Sequence, residues 1–546
     1  MLVPDFPFPY DEHLASPAGL GSVPPARHGT EVAVVGAGMS GLVTAYELMK
    51  LGLRPVVHEA GEIGGRLRTA TFPGVDGPVA DLGGMRFPRS GRAFWHYADL
   101  VGARSAPFPN PLAPQTPSTV VELGARAHHA VTADDLPPFF GEVSAAWADA
   151  LEEGARHSEV VDAVRRRDLR ALKQLWDETV PRLDEQTFYE FVARSRAFSR
   201  LSYAHRETFG QVGFGTGGWD TDFPNSVLEV LRVVHTGADD AHRRILGGAQ
   251  SVPLGLWRHR PDRLAHHPRG TSLESLHGGS PRPGVVRVRR GEDGRLHVLD
   301  RWGTERGYDA VVVTCQSWLL SAGIDTDESL LSHDLWMALE RSHYMQASKT
   351  FVLVDRPFWH DRDPVTGRHV MSTTLTDRMT RATYPLDGPA GPDGPATLCL
   401  SYTWNDDSLK WLALDVGERV RLMLHSLGKI YPGLDIASHV LGEPITVNWE
   451  REPHFMGAFR GNLPGHYRYQ RRLFTHFVQD DLPPQHRGIF LAGDDISFTP
   501  GWAEGAVTTA LNAVWGVVRQ LGGSSAPGNP GPGDRFAELA PLRLPD

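Results

Sequence analysis

The chain has 546 residues, 41% hydrophobic and 22% charged, with a formal net charge of −10. That length exceeds what one hydrophobic core usually spans, so two or three domains are expected in a soluble globular protein. The acidic balance, without a dominating basic stretch, argues against a nucleic-acid surface, and two cysteines, Cys315 and Cys399, exclude a disulfide framework and are expected as buried free thiols.

The first 30 residues are rich in Pro, Phe and Tyr and are expected to form an extended arm. They lack the basic and apolar regions of a signal peptide, and no apolar run approaches the ~18 residues that span a bilayer, so a cytoplasmic protein without membrane attachment is expected. "EVAVVGAG" reads as a strand and a turn, Ser40–Leu51 as a helix and "RPVVHE" as a second strand, which makes a βαβ opening. From about Leu136 to Leu231 the pattern is helical, with Val160, Val161, Val164, Leu169, Leu172, Leu175 and Trp176 at three- and four-residue spacing. Arg165–Arg167, the densest basic run, lies among Glu152, Glu153, Asp162 and Asp168 and is expected to be a solvated helix face. Residues 258–284 read as a loop whose His266, His267 and His277 are exposed, with no metal site. "VVRVRRGEDGRLHVL" predicts a hairpin, "YDAVVVTCQ" a buried strand, and residues 345–470 a mixture of strand and helix. "RGIFLAGDD" is a further strand, 502–521 a last helix, and "GGSSAPGNPGPGD" a flexible tail by composition.

"VVGAGMSG" places Gly36, Gly38 and Gly41 in a G-x-G-x-x-G after a strand and at the start of a helix, with Glu59 following the next strand. Gly36 suits the tight turn, Gly38 the approach of a pyrophosphate, Gly41 close helix–strand packing, and Glu59 the ribose hydroxyls. Two features favour FAD over NAD. Gly64, Gly65 and Arg66 in "GEIGGRLRT" offer further backbone and a guanidinium to phosphate, and "LAGDDISFTPGWAEGA" returns more than 400 residues later with Gly493-Asp494 at a strand end. Asp494 suits the ribityl hydroxyls of an extended FAD, and the helix beginning near Trp502 can direct its positive end at the flavin. No cysteine lies within 487–516, so non-covalent FAD is expected.

With these motifs, and with "LGGMRFP", "SKTFVLVDRPFW" and "LSYTWNDDS", the chain resembles the flavin amine oxidases, in the branch of L-amino-acid oxidases and tryptophan or phenylalanine 2-monooxygenases. The resemblance runs from the "FPFPY" arm to residue 521. It implies an α/β fold: a discontinuous Rossmann-like FAD-binding domain (31–80, 246–330 and 480–521), a mixed-sheet substrate domain (81–130 and 331–479) and an inserted helical domain (131–245), between an arm (1–30) and a flexible tail (522–546). It implies a homodimer acting on an L-amino acid and O2, with FAD contacts extended to Ser40, Ala60, Gly83, Gly84, Met85, Arg86, Val286, Gly501 and Ala503. In similar enzymes the arginine matching Arg86 clamps the substrate carboxylate, as the fork of a guanidinium allows. Gly83 and Gly84 would bring the backbone close to the isoalloxazine. The lysine matching Lys349 holds a water near the flavin and assists the oxygen reaction, Tyr402 shares the carboxylate, Trp502 walls the substrate, and the Gly501 carbonyl accepts an amine proton.

The chemistry so implied is hydride transfer from Cα, followed either by release of an imino acid, giving a 2-oxo acid, ammonia and hydrogen peroxide, or by oxidative decarboxylation to an amide. Which follows depends on how long the product stays enclosed; the arm and "LSYTWNDDS" lean toward the monooxygenases. Residues 214–232 are expected to form part of the side-chain pocket, Trp219 and Phe223 suiting an aromatic substrate, Asp220 and Asp222 the alternative of a lysine or arginine. A non-catalytic FAD-fold partner-binding protein is the alternative of a different class.

Overall fold

The computed structural model describes residues 1–212 and 224–545. Runs of β-branched residues build a five-stranded parallel sheet, in the order Arg282–Pro283, Arg54–Glu59, Glu31–Val35, Ala310–Val313 and Ile489–Leu491. Both faces of the sheet are covered, as uninterrupted apolar strands require. Val32, Val312 and Phe490 meet Leu48 of the Met39–Lys50 helix and Val514 and Val517 of the Ala503–Gln520 helix. Ala33, Val311 and Leu491 face the Val285–Arg290/Leu296–Asp300 hairpin and the His333–Glu340 helix. The strand ends at Val35 and Leu491 therefore flank Val313 at the same edge of the sheet, and the chain leads from each into one of the two long helices.

A second sheet of seven strands runs Val440–Asn448, Ala347–Val354, Ala396–Trp404, Ala382–Leu386, Thr373–Thr376, Thr119–Leu123 and Arg126–Ala130. It is antiparallel except where Thr373–Thr376 meets Thr119–Leu123. Its register sets Lys349 directly opposite Tyr402, so both side chains leave the same face. Between Pro138 and His235 the described residues form six α-helices. Asp168, Thr187 and Ser226 cap three of them by accepting from the amides of Ala171, Glu190 and Leu228. The α/β architecture is thus two sheets with a helical insertion. No helix among the described residues is long and apolar enough to cross a membrane.

Three expectations are corrected. The arm is not merely extended: Tyr10–Ala15 is a helix, Phe6, Phe8 and Tyr10 are buried, and Asp5 accepts two 2.8 Å hydrogen bonds from buried Arg232. Arg167 of the basic run turns back to Asp11 at 2.8 Å, tying the arm to the helical insertion. The tail is not flexible: Ser524–Ser525 pairs with Gly21–Ser22, and the Phe536 ring lies 6.2 Å from Phe6 and 5.8 Å from Phe477. Its glycines serve contact, since a Cβ at Gly533 would lie 2.2 Å from the Trp515 indole. Of the loop histidines only His266 is exposed: His267 approaches the Leu53 carbonyl, and His277 takes the Val57 amide proton at 2.9 Å.

Candidate active site

One cavity of about 540 Å³ runs from the turn after Glu31–Val35 to the face of the second sheet. Its first end is made by glycines, each with a distinct reason. Gly36 has φ +117°, which a residue with a Cβ rarely adopts. A Cβ on Gly41 would stand 1.9 Å from the Gly36 carbonyl oxygen, so Gly41 sits behind the cavity and sets helix–strand packing. A Cβ on Gly38 would meet nothing nearer than 3.9 Å, so Gly38 leaves open space on the cavity wall beside Gly65. Glu59 fixes this turn, taking the Ala37 amide on one oxygen and the Gly61 amide on the other, both at 2.7 Å. Ser40, Glu59, Ala60, Val286, Gly493 and Asp494 line the same stretch.

Two roles differ from expectation. Arg66 does not stand free for phosphate: its guanidinium holds Asp494 at 2.5 Å and the Ala458 carbonyl at 3.0 Å. Gly83 is not primarily a clearance for a ring. A Cβ there would fall 1.7 Å from the Arg66 carbonyl oxygen, so its glycine seats the 80s loop on the Gly64–Leu67 turn. Asp494 also accepts from the Gly501 amide at 3.1 Å, which draws the start of the last helix to the strand end.

The residues present fit an FAD. Ser40 Oγ and both amide atoms of Gln316 line the cavity, are buried, and lack hydrogen-bond partners among the described residues, a state that a polar ligand resolves. Beside them are the open wall at Gly38 and a helix N-terminus, the arrangement that favours a pyrophosphate.

At the far end lie Arg86, Lys349, Tyr402 and Trp502, with Gly84, Met85, Gly501 and Ala503 in the same wall. The Arg86 segment is positioned by pairing that joins distant parts of the chain. Phe87 and Arg243 exchange two 2.9 Å backbone hydrogen bonds, Ser105–Pro107 pairs with Arg243–Ile245, and the Phe108 amide donates to the His242 carbonyl. Arg86 therefore stands among rings, its guanidinium carbon 5.3 Å from the centroid of Tyr402, 5.8 Å from Phe108 and 5.9 Å from Tyr384. One long hydrogen bond, 3.5 Å, reaches the Tyr384 hydroxyl. Among the described residues Arg86 has no carboxylate partner, although its charge lies in a cavity wall.

Lys349 is buried in a central strand, not at a sheet edge. Its ammonium donates to the Asp81 carbonyl at 3.1 Å and to the Gly83 carbonyl, and lies 4.8 Å from the Tyr402 ring centroid. Burial, with Arg86 nearby, pushes its pKa down to about 7. Tyr402 thus carries a cation over its ring from each of two elements.

His242, Tyr384, Gln316 and Asp239 were not found from the sequence. His242 lies between the Asn110 amide at 2.6 Å and the Ala238 carbonyl at 2.7 Å, with its ring 5.5 Å from Trp502. Burial and the Arg86 charge hold it neutral, its pKa down to about 4. Nothing in "GADDAHRRIL" signals this, because the pairing that places it is long-range. Trp219, Phe223, Asp220 and Asp222 lie outside the described residues.

The sequence profile described as flavin containing amine oxidoreductase matches residues 39–518. Tryptophan 2-monooxygenase of Pseudomonas savastanoi is 30% identical over 549 residues, covering 94% of this chain and 93% of that protein. The L-amino-acid oxidase of Mus musculus is 26% identical over 502 residues, covering 90% of this chain and 71% of its own. Among solved structures, putrescine oxidase bound to putrescine is similar with a TM-score of 0.66 at 20% identity, over 90% of this chain and 99% of that one. Cyclohexylamine oxidase from Brevibacterium oxydans IH-35A gives a TM-score of 0.61 at 18% identity, over 90% and 100%. At such identities these two speak to the fold alone.

Proposed function

We propose that this chain, which belongs to the flavin containing amine oxidoreductases, oxidises a free L-amino acid at Cα, with an aromatic side chain favoured and FAD held without a covalent bond. The observation that carries this reading is Arg86: a guanidinium in the cavity wall, boxed by three rings and matched by no carboxylate of the described residues. A substrate carboxylate supplies the missing partner, and two parallel charge-assisted bonds fix its orientation.

Bound flavin supplies the acceptor of the Cα hydride and the later reaction with O2. The chain supplies alignment. Arg86 and the Tyr402 hydroxyl hold the carboxylate, Trp502 limits the side chain, and the Gly501 carbonyl takes a proton of the amine. Alignment of this kind can account for roughly 7–11 kcal/mol of a barrier. Lys349 holds a water against the Gly83 side of the cavity and, when protonated, stabilises the negative charge that develops on O2.

With L-tryptophan the decarboxylating outcome consumes O2 and yields indole-3-acetamide, CO2 and water. The oxidase outcome consumes O2 and water and yields the 2-oxo acid, ammonia and hydrogen peroxide. The tryptophan 2-monooxygenase relatives support the first. A cytoplasmic homodimer belongs to the same proposal. Purified protein should be yellow, release intact FAD on denaturation, and bleach when L-tryptophan or L-phenylalanine is added without oxygen. Mass analysis after oxygen is admitted then separates amide from oxo acid. Failure of every aromatic amino acid to bleach it would overturn the reading.

A further inference from the structure

Among the described residues four acids line the cavity: Glu59, Glu229, Asp239 and Asp494. Three are held. Glu59 binds two backbone amides, Glu229 takes Arg232 at 2.5 Å and Asn462 at 2.9 Å, and Asp494 binds Arg66 and the Gly501 amide. Asp239 is different. Among the described residues its carboxylate makes no ion pair and no hydrogen bond to another residue. Its charged neighbour is the exposed Asp240.

The placement of Asp239 follows from a stripe. Val230, Val233, Thr236 and Asp239 follow at three-residue steps from the Val227–His235 helix into the turn after it, and all four line the cavity. Two are apolar, and the Thr236 hydroxyl already donates to the Arg232 carbonyl at 2.8 Å. Three residues on, His242 has both ring nitrogens engaged and its ring beside Trp502. The stripe thus offers aliphatic surface and a carboxylate that, among the described residues, accepts only from its own backbone amide, in the cavity that the Trp502 indole and the His242 imidazole also line. Burial, aided by Asp240, raises the Asp239 carboxyl to about 6, which leaves it ionised at neutral pH.

We infer that Asp239 is a specificity-determining residue that accepts a hydrogen bond from the side-chain N–H of a planar aromatic substrate, an indole, while Arg86 holds the carboxylate. The inference rests on the amino-acid oxidation proposed above and names the side chain it takes. A site built to accept an N–H discriminates against an isostere that lacks one, because the acceptor is then left buried and unpaired. Phenylalanine fills the apolar part of the stripe and leaves Asp239 unused. The competing occupant of a lone carboxylate is an ammonium or guanidinium side chain.

The test uses the holoenzyme with L-tryptophan, L-phenylalanine, L-lysine and the benzothiophene isostere of tryptophan, in which sulfur replaces the indole N–H. The readout is kcat/KM for anaerobic flavin reduction, with flavin content and melting temperature measured for each variant. Wild type should prefer tryptophan to the isostere by about tenfold or more. Asp239→Ala should bring that ratio close to one while changing phenylalanine by no more than a few-fold. Asp239→Asn, whose amide oxygen still accepts, should keep most of the preference. A wild type indifferent to the isostere would overturn the inference, as would an Asp239→Ala variant that slows all substrates alike. Preferred oxidation of L-lysine that collapses in Asp239→Asn would overturn it in favour of a cationic side chain. These outcomes leave oxidation of amino acids standing. A wild type bleached by no amino acid overturns both, which keeps the two failures distinct.

Discussion

Replacing Arg86 with alanine separates the substrate clamp from a structural role, because the structure gives the two very different magnitudes. Among the described residues the side chain makes a 3.5 Å hydrogen bond to the Tyr384 hydroxyl, sits 5.3–5.9 Å from three ring centroids and has no ion pair to break. Such contacts are each worth about 0.5–1 kcal/mol, so a destabilisation of roughly 2–4 kcal/mol at most and retained flavin are expected. Holding a carboxylate adds two charge-assisted bonds at about 1.5–3 kcal/mol each, or ~3–6 kcal/mol together. At about 1.4 kcal/mol per decade, kcat/KM for reduction by L-tryptophan should fall by roughly two to four orders of magnitude. Arg86→Lys keeps the charge but not the fork and should recover only part of this. Anaerobic stopped-flow absorbance at the flavin band measures the rate, and tryptamine is the control. Tryptamine lacks the carboxylate, so its slow reduction rate should be nearly the same in wild type and Arg86→Ala. Equal losses for tryptophan and tryptamine, or no loss for tryptophan, would refute the clamp.

Lys349→Met should slow reoxidation by O2 more than reduction, measured by double mixing, and equal losses would count against an oxygen-directed charge. Because burial holds the Lys349 pKa near 7, against 10.5 unperturbed, the unfolded chain binds that proton more tightly, and the penalty is full below about pH 7 and fades toward the ordinary lysine value. Thermal melts of the apoprotein should therefore favour Lys349→Met most at about pH 6 and hardly at all by about pH 10. Gly38→Ala should leave the apoprotein melt nearly unchanged yet weaken FAD binding by titration, whereas Gly41→Ala, whose Cβ would meet the Gly36 carbonyl at 1.9 Å, should lower both. Deleting residues 524–546 should lower the melting temperature by several degrees, since it removes Phe536 from Phe6 and Phe477 and uncovers Trp515.

Where function depends on local geometry, the sequence carried it. The turn at Gly36 and the packing at Gly41 lie within one βαβ unit, and their spacing states their tasks, whereas Glu59, expected for ribose hydroxyls, binds the Ala37 and Gly61 amides. Where function depends on distant segments meeting, it did not. His242 is placed by the pairing of 86–87, 105–108 and 242–245, and no periodicity in any of the three announces the others. Glycine was the least reliable sign. At Gly83 the absent side chain clears the Arg66 carbonyl, and at Gly533 it admits the Trp515 ring, although the tail reads as flexible chain by composition. A guanidinium was ambiguous for a similar reason. Arg66 and Arg86 both follow paired glycines, but only the fold decides that Asp494 meets the first and that no acid among the described residues meets the second.

Two cations beside one tyrosine is an arrangement that a fold optimised for stability would avoid. Among the described residues Lys349 is buried without an ion-pair partner, its proton weakened to a pKa near 7, and Arg86 faces the same ring with none either. The surrounding sheet tolerates this because Lys349 is fixed by backbone carbonyls and Arg86 by aromatic faces, which orient a charge without cancelling it. An acid placed beside either would raise stability and, on the proposed reading, occupy the place of the substrate carboxylate. On the proposed reading, this unbalanced charge, more than any single contact, would make this end of the cavity a receptor for the substrate carboxylate.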